Sequence, residues 1–245
     1  MKYITSADNN LIKIAASLKE KKYRQKYGLY VIEGLRAVKD AVEAGAEIEC
    51  VFAEEGQQFD LYDATQEVYI VPSRLMEKIC GTATPQGIAA LARIKTPKLG
   101  ALSWCLVLDR LSDPGNLGTI IRTAAACGVR DIILCGCADP YNPKCVRATM
   151  GGLNYVNLFE MEAEKAIDAV KGAGIPLLCA DMGGKNIFER KKQDNFALVI
   201  GSEAHGMGEA FLKACDEVIS LPMRNVESLN AAVCASVMMY LLIHS

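Results

Sequence analysis

The chain has 245 residues, half of them hydrophobic (51%), and a formal net charge of −2. That length accommodates one large domain or two small ones with real cores. No apolar run approaches the roughly 20 residues of a bilayer span, the opening Met1-Lys-Tyr-Ile-Thr-Ser-Ala-Asp is too polar for a secretory signal, and the charge balance is not that of a strongly basic nucleic-acid binder. A cytoplasmic protein with no membrane partner is expected.

Residues 10–22 read as a helix, with Leu11, Ile14, Ala15 and Leu18 on one face and Asp8 or Asn9 as the cap. Lys13, Lys19, Lys21, Lys22, Arg24 and Lys26 crowd this segment; such a run is either a solvated helix face or a phosphate-binding patch. A short strand at 30–32 leads into Glu33-Gly34, a helix over 35–44 ends at Gly45, and strands follow at 48–53 and 68–71. Ser73 caps a helix over 73–79, and a strand at 87–92 closes a small α/β unit. The polar stretch 93–100, with Pro97 and Gly100, reads as a linker and divides a domain of residues 1–95 from one of residues 96–245.

A buried strand runs over 104–109, a helix over 119–127 stops at Gly128, and a strand follows at 131–135. A helix over 143–150 starts on Pro143, a helix over 163–172 precedes a strand at 176–180, and the most apolar strand, 196–201, leads to a helix over 207–215 and a short strand at 217–221. Strands alternating with helices predict an α/β fold whose sheet is mostly parallel and covered on both faces. A last helix from Ser228 to about residue 243 has almost no polar face, which places it deep in the fold and at a subunit interface. The ten cysteines lie mostly inside apolar runs, Cys135-Gly-Cys137 has no companion pair, and there are only two histidines, so no metal site is expected.

Three stretches put glycine or a small polar residue where an apolar strand gives way to a turn or helix. Strand ends of that kind are where α/β proteins hold ligands. The first is Asn116-Leu-Gly-Thr-Ile-Ile-Arg122, where Asn116 can cap a helix and Arg122 can be an ordinary surface arginine. The second is Gly201-Ser-Glu-Ala-His-Gly206. It is not a dinucleotide fingerprint, because Glu203 stands where a glycine must approach pyrophosphate and too little chain follows. A strand-to-helix turn is its plainer reading. The third is Leu221-Pro-Met223 with Ser228-Leu-Asn230. Ser228 can be an N-cap, whereas Asn230 is an amide in the first turn of an apolar helix and needs partners.

In this order and at these separations, the three stretches resemble the motifs of the SpoU (TrmH-like) branch of the SPOUT RNA methyltransferases, with Gly201-x-Glu203-x-x-Gly206 as the second. Tyr30-Val-Ile-Glu-Gly-Leu-Arg36, Thr84-Pro-Gln-Gly-Ile and Lys144-Cys-Val-Arg-Ala-Thr-Met-Gly151 also fit the family, so the resemblance covers nearly the whole chain. It implies a small N-terminal α/β RNA-binding domain and a C-terminal α/β domain tied in a trefoil knot, working as a homodimer. It implies S-adenosylmethionine as cofactor, held by Ala180, Gly201, Leu221, Met223 and Leu229. Asn116, Arg122, Glu203, Ser228 and Asn230 become the catalytic set, and Lys21, Lys22, Arg24 and Arg36 the RNA contacts. The implied reaction is 2′-O-methylation of ribose, in ribosomal more than transfer RNA. Arg224-Asn225 and Ala231 depart from the common pattern beside the third motif without removing a motif residue. A catalytically silent RNA-binding or ribosome-assembly protein of the same fold and an ordinary nucleotide-binding α/β enzyme are the competing readings.

Overall fold

The computed structural model describes residues 1–58, 67–190, 193–202 and 206–244. In chain order the first half comprises β1 (Lys2–Tyr3), α1 (Asn10–Ser17), α2 (Lys21–Tyr27), β2 (Leu29–Glu33), α3 (Leu35–Glu43), β3 (Ile48–Glu54), β4 (Glu67–Val71), α4 (Ser73–Cys80) and β5 (Ile88–Arg93). The second comprises β6 (Trp104–Asp109), α5 (Pro114–Ala126), β7 (Asp131–Cys135), α6 (Pro143–Thr149), β8 (Asn157–Glu160), α7 (Ala163–Gly172), β9 (Leu177–Asn186), β10 (Phe196–Ile200), α8 (Glu209–Ala214), β11 (Glu217–Ser220) and α9 (Ala231–His244). Two compact units result: Met1–Ile94 with Asp139–Asn154, and Lys95–Ala138 with Tyr155–Ser245.

The first unit is a five-stranded mixed sheet of order β1-β4-β3-β5-β2. Its first three strands are parallel, and β5 runs antiparallel to both neighbours. One core forms where Ile12, Ala15 and Leu18 meet Leu75, Met76 and Ile79 of α4 over Phe52 and Leu91 of the sheet. α1 is capped by Asn9, whose side chain accepts from the Leu11 N–H at 2.9 Å. The single helix expected over 10–22 is broken in two. The Leu18 carbonyl, which a continuous helix would give to the Lys22 N–H, accepts instead from the Arg24 guanidinium. Ser73 is the first residue of α4 and not its cap; Pro72 holds that position, and the Ser73 hydroxyl donates to Glu54. α6, from the segment Asp139–Asn154, packs against β2 within this unit, although a boundary at 95/96 does not anticipate that it belongs here.

Arg24 is 3% exposed. Its Nε donates to Asp139 Oδ2 at 3.1 Å, and Nη2 donates to the same oxygen. A buried charge has to be fully paired, and this one is. The RNA contact expected of Arg24 is thereby corrected, since the guanidinium is committed inside the unit.

The second unit is a six-stranded sheet of order β11-β9-β10-β6-β7-β8 with every pairing parallel. Its central strands are continuous apolar runs because both faces are covered. One face packs Cys105, Val107, Leu177, Ala197 and Val199 under Ala166, Ile167 and Val170 of α7 and Phe211 of α8. α5 and α9 pack on each other, and α9 reaches β10. In α9, Ala232, Ala235, Met238 and Met239 are buried, while Val233, Val237 and Tyr240 form an exposed stripe. The expectation of a helix buried all round therefore holds for one face only. Among the described residues no helix is long and apolar enough to cross a membrane. None of the ten cysteines forms a disulfide, and burial pushes the thiols of Cys50, Cys80, Cys105 and Cys135 up to about 12. At neutral pH these are packing groups and not nucleophiles.

Candidate active site at the ends of the parallel strands

In the sheet order β11-β9-β10-β6 all four strands point the same way. Their carboxyl ends therefore lie side by side, about 4.8 Å per strand. β6 continues through α5 to β7 on one side, and β10 continues through α8 to β11 on the other. Opposite departures from adjacent strands open a crevice at their carboxyl ends, where open α/β sheets bind ligands.

Three sets of hydrogen bonds draw the motif stretches to this edge. Asn230 precedes α9, and its Oδ1 accepts from the N–H groups of Ala232 and Val233 at 2.9 and 3.2 Å. Its Nδ2 donates to Asn116 Oδ1 at 3.2 Å. Asn230 is thus the cap of the last helix and not a residue of its first turn, and the helix begins three residues later than Ser228, at Ala231. Beside β10, the Gly208 N–H donates to Asp109 Oδ2 at 2.7 Å. Between β9 and β11 the register jumps from the pair Cys179–Val218 to Lys185–Ile219. Residues 180–184 therefore bulge from the sheet edge, and the Ser220 hydroxyl closes the bulge by donating to the Gly184 carbonyl at 2.8 Å.

Glycine is needed at two of these points. A Cβ on Gly201 would lie 2.7 Å from the Gly206 carbonyl carbon and the Met207 nitrogen, and one on Gly184 would lie 2.6 Å from Ile219 backbone atoms. After Gly201, Ser202 and Gly206 exchange N–H···O bonds of 3.1 and 2.8 Å. Glu203 lies outside the described residues.

α5 begins at Pro114, five residues before the expected start, because Asp113 caps it by accepting from the Asn116 N–H at 2.8 Å. Asn116 is therefore a first-turn residue with its side chain turned to Asn230. The Thr123 hydroxyl meets the Ser236 hydroxyl of α9 at 2.9 Å. Arg122 is exposed and makes no hydrogen bond or ion pair with another described residue. Six positions from Asn116, it projects about 120° away around the helix axis and about 9 Å along it.

The segment after β11 suits a nucleoside cofactor. Among the described residues no group accepts from the backbone N–H of residues 223–229, and Leu221 and Met223 are half-buried beside it. Donors without ladder partners next to apolar side chains are what an adenosine moiety of S-adenosylmethionine requires. Leu229 and Ser228 are exposed, Ala180 is half-buried at the start of the bulge, and Gly201 follows β10, so the expected cofactor set lies along the same strand ends. Lys21, Lys22 and Arg36 lie in the first unit and are exposed. Lys22 pairs with Glu20 at 2.9 Å, which raises its pKa. Asp109, Arg110 and Asp113 escaped the sequence reading; the available signal was a carboxylate closing a buried strand.

A model of the SpoU rRNA methylase family matches residues 103–240, and one described as an MRM3-like substrate-binding domain matches residues 9–90. The chain belongs to the SpoU rRNA methylase family. It is 32% identical to a protein of Bacillus subtilis named 23S rRNA (guanosine(2553)-2′-O)-methyltransferase RlmP, with 98% of each chain covered. It is similar to the AdoMet-bound rRNA methyltransferase of Sinorhizobium meliloti (TM-score 0.88, 26% identity, 98% and 97% covered). It is also similar to the SpoU methyltransferase AviRb of Streptomyces viridochromogenes in complex with AdoMet (TM-score 0.85, 25% identity, 96% and 97% covered).

In this SpoU-family chain the Asn230 amide does two things that substitution can separate. Asn230→Ala should remove the helix cap, costing about 1 kcal/mol, and with it the tie to Asn116. Asn230→Ser keeps a capping oxygen but falls short of Asn116, so it should restore the melting temperature without restoring methyl transfer. Recovery of both by serine would reduce Asn230 to a cap.

Proposed function

We propose that this protein transfers a methyl group from S-adenosylmethionine to a ribose 2′-hydroxyl in ribosomal RNA. The observation that carries the reading is that the third motif stretch reaches the first through Asn230 to Asn116 at 3.2 Å, while the second lies at the end of the strand leading into the first, with Arg110 reaching the Gly206 carbonyl at 3.4 Å and Gly208 donating to Asp109 at 2.7 Å. Ribosomal RNA is favoured over transfer RNA by two relatives of matching length that are named for 23S rRNA.

Bound S-adenosylmethionine supplies an electrophilic methyl group on a positively charged sulfur. The work left to the chain is alignment, because a ribose hydroxyl is a weak nucleophile. Holding reactants in line is worth about 7–11 kcal/mol at best. Arg122, exposed on α5, contacts the ribose and its neighbouring phosphate. A guanidinium gives up its proton very reluctantly, so Arg122 orients and neutralises, and the hydroxyl proton leaves to phosphate or water. Asn116 and Asn230 brace the floor of the crevice, with Ser228 and Glu203 completing the polar shell. The backbone along Gly201, Leu221 and Leu229, with Ala180 and Met223 beside it, holds the cofactor.

Lys21, Lys22 and Arg36 of the first unit contact RNA phosphates, so binding weakens as salt rises. The second unit, Lys95–Ala138 with Tyr155–Ser245, is the methyltransferase domain, its chain threaded as the trefoil knot of the family, and the enzyme works in the cytoplasm as a homodimer. The apolar stripe of Val233, Val237 and Tyr240 on α9 supports the dimer, since its i, i+4, i+7 spacing makes one continuous face.

Two measurements test the reading together. Calorimetry should detect S-adenosylmethionine binding to the full chain, and ribose-methylation mapping should find one 23S site lost from cells lacking the protein. RNA binding without cofactor binding would leave the catalytically silent alternative standing instead.

A further inference from the structure

Asp109 ends β6 and Arg110 follows it, and the geometry of the pair is unusual. The Asp109 carboxylate is 3% exposed at the end of β6, and its Oδ2 accepts from the Gly208 N–H across 99 residues of sequence. Arg110 folds back on its neighbour, with Nε 3.2 Å from both carboxylate oxygens. It does so from a left-handed backbone, φ +55, which a non-glycine residue rarely adopts. Its Nη2 also reaches the Gly206 carbonyl at 3.4 Å. Space is reserved for the arrangement. A Cβ on Gly208 would come within 3.1 Å of Asp109 Oδ2 and 3.4 Å of Arg110 Nη2, and one on Gly136 within 3.5 Å of Arg110 Cγ.

One carboxylate and one guanidinium therefore grip the chain at two backbone points, the Gly206 carbonyl at the end of the second motif stretch and the Gly208 N–H just beyond it. We infer that Asp109 and Arg110 are positioning residues, a clasp that sets Gly206–Gly208 against the end of β6 and thereby the cofactor side of the crevice. A neutral residue at 109 would leave the guanidinium unanchored, and a residue other than arginine at 110 would not reach Gly206 and Asp109 together. Displacements of an ångström at such a point are enough to lower turnover severely.

The inference rests on the methyl-donor reading, and its test keeps the two apart. Arg110→Gly removes the guanidinium and suits a positive φ; Asp109→Asn removes the charge that anchors it. In the full-length protein without ligand, hydrogen exchange of the amides over 206–208 should accelerate by about tenfold or more in both variants. Their Kd for S-adenosylmethionine should rise by about tenfold, while RNA affinity stays unchanged. Arg110→Lys, which keeps a charge near Asp109 without the fork, should fall between wild type and Arg110→Gly on both readouts. Should Arg110→Gly fail to fold, Arg110→Lys decides alone. Exchange and Kd within about twofold of wild type in the folded variants would overturn the clasp. Absence of donor binding by the wild type would overturn the function, with the exchange data still deciding the clasp.

Discussion

Replacing Arg122 with alanine should lower methyl-transfer turnover by about 10²–10³-fold, equivalent to about 3–4 kcal/mol of barrier. The melting temperature should hardly move, because the side chain is exposed and has no described partner to lose. Cofactor affinity should also be nearly intact. Arg122 lies on α5, whereas the residues proposed to hold the cofactor follow β9, β10 and β11. Arg122→Lys separates two mechanisms. A lysine is a point charge without the planar fork, so an orienting role predicts turnover between those of wild type and alanine, with the pH–rate profile unchanged in shape. A residue acting as base predicts a profile that shifts with the new group. Initial rates with tritiated donor measure all of this, and full turnover in the alanine variant would take Arg122 out of the mechanism.

Much of this arrangement is legible in the amino acids, and the parts that are not share a physical cause. The runs at Trp104 and Phe196 read as buried parallel strands because continuous apolar sequence suits a sheet covered on both faces. The start of the helix after β6 is less legible. Pro114-Gly115 carries a turn signature, yet proline is equally at home in the first turn of a helix, and only the Asp113 cap distinguishes the two. Asn230 looked like a stray amide because its backbone partners at 232 and 233 and its side-chain partner Asn116 are visible only in three dimensions. The bulge at 180–184 leaves no periodic trace. Its requirement is the absence of a Cβ at Gly184, where Ile219 passes within 2.6 Å of that position, and one glycine among 20 does not announce such a contact. The family resemblance assigned roles to Asn116 and Arg122 in one motif, but helix geometry separates them around the axis and turns Asn116 to Asn230 instead.

Arg24 marks the other limit of sequence reading, and its replacement should have the largest effect on stability. It sits among Lys21, Lys22 and Lys26 and looks like part of a phosphate-binding patch. Its partner Asp139 is 115 residues away, and the pair is 3% and 12% exposed by side chain. Arg24→Ala leaves a nearly buried carboxylate without its cation and the Leu18 carbonyl without its donor, which should cost about 3–5 kcal/mol. At roughly 2–4 °C per kcal/mol for a chain of this size, melting should fall by about 10 °C. A phosphate contact predicts the reverse pattern: little change in stability and weaker RNA binding with a flatter salt dependence. The double variant Arg24→Met/Asp139→Leu distinguishes the two independently of folding losses, because a buried pair replaced by apolar side chains of similar volume is often neutral. Its melting temperature should recover most of the loss, giving a strong coupling in the double-mutant cycle, and its RNA affinity should match wild type. If stability recovers while RNA affinity falls, Arg24 returns to the RNA surface, and the hydrogen bonds to Asp139 and Leu18 would have to open when RNA binds.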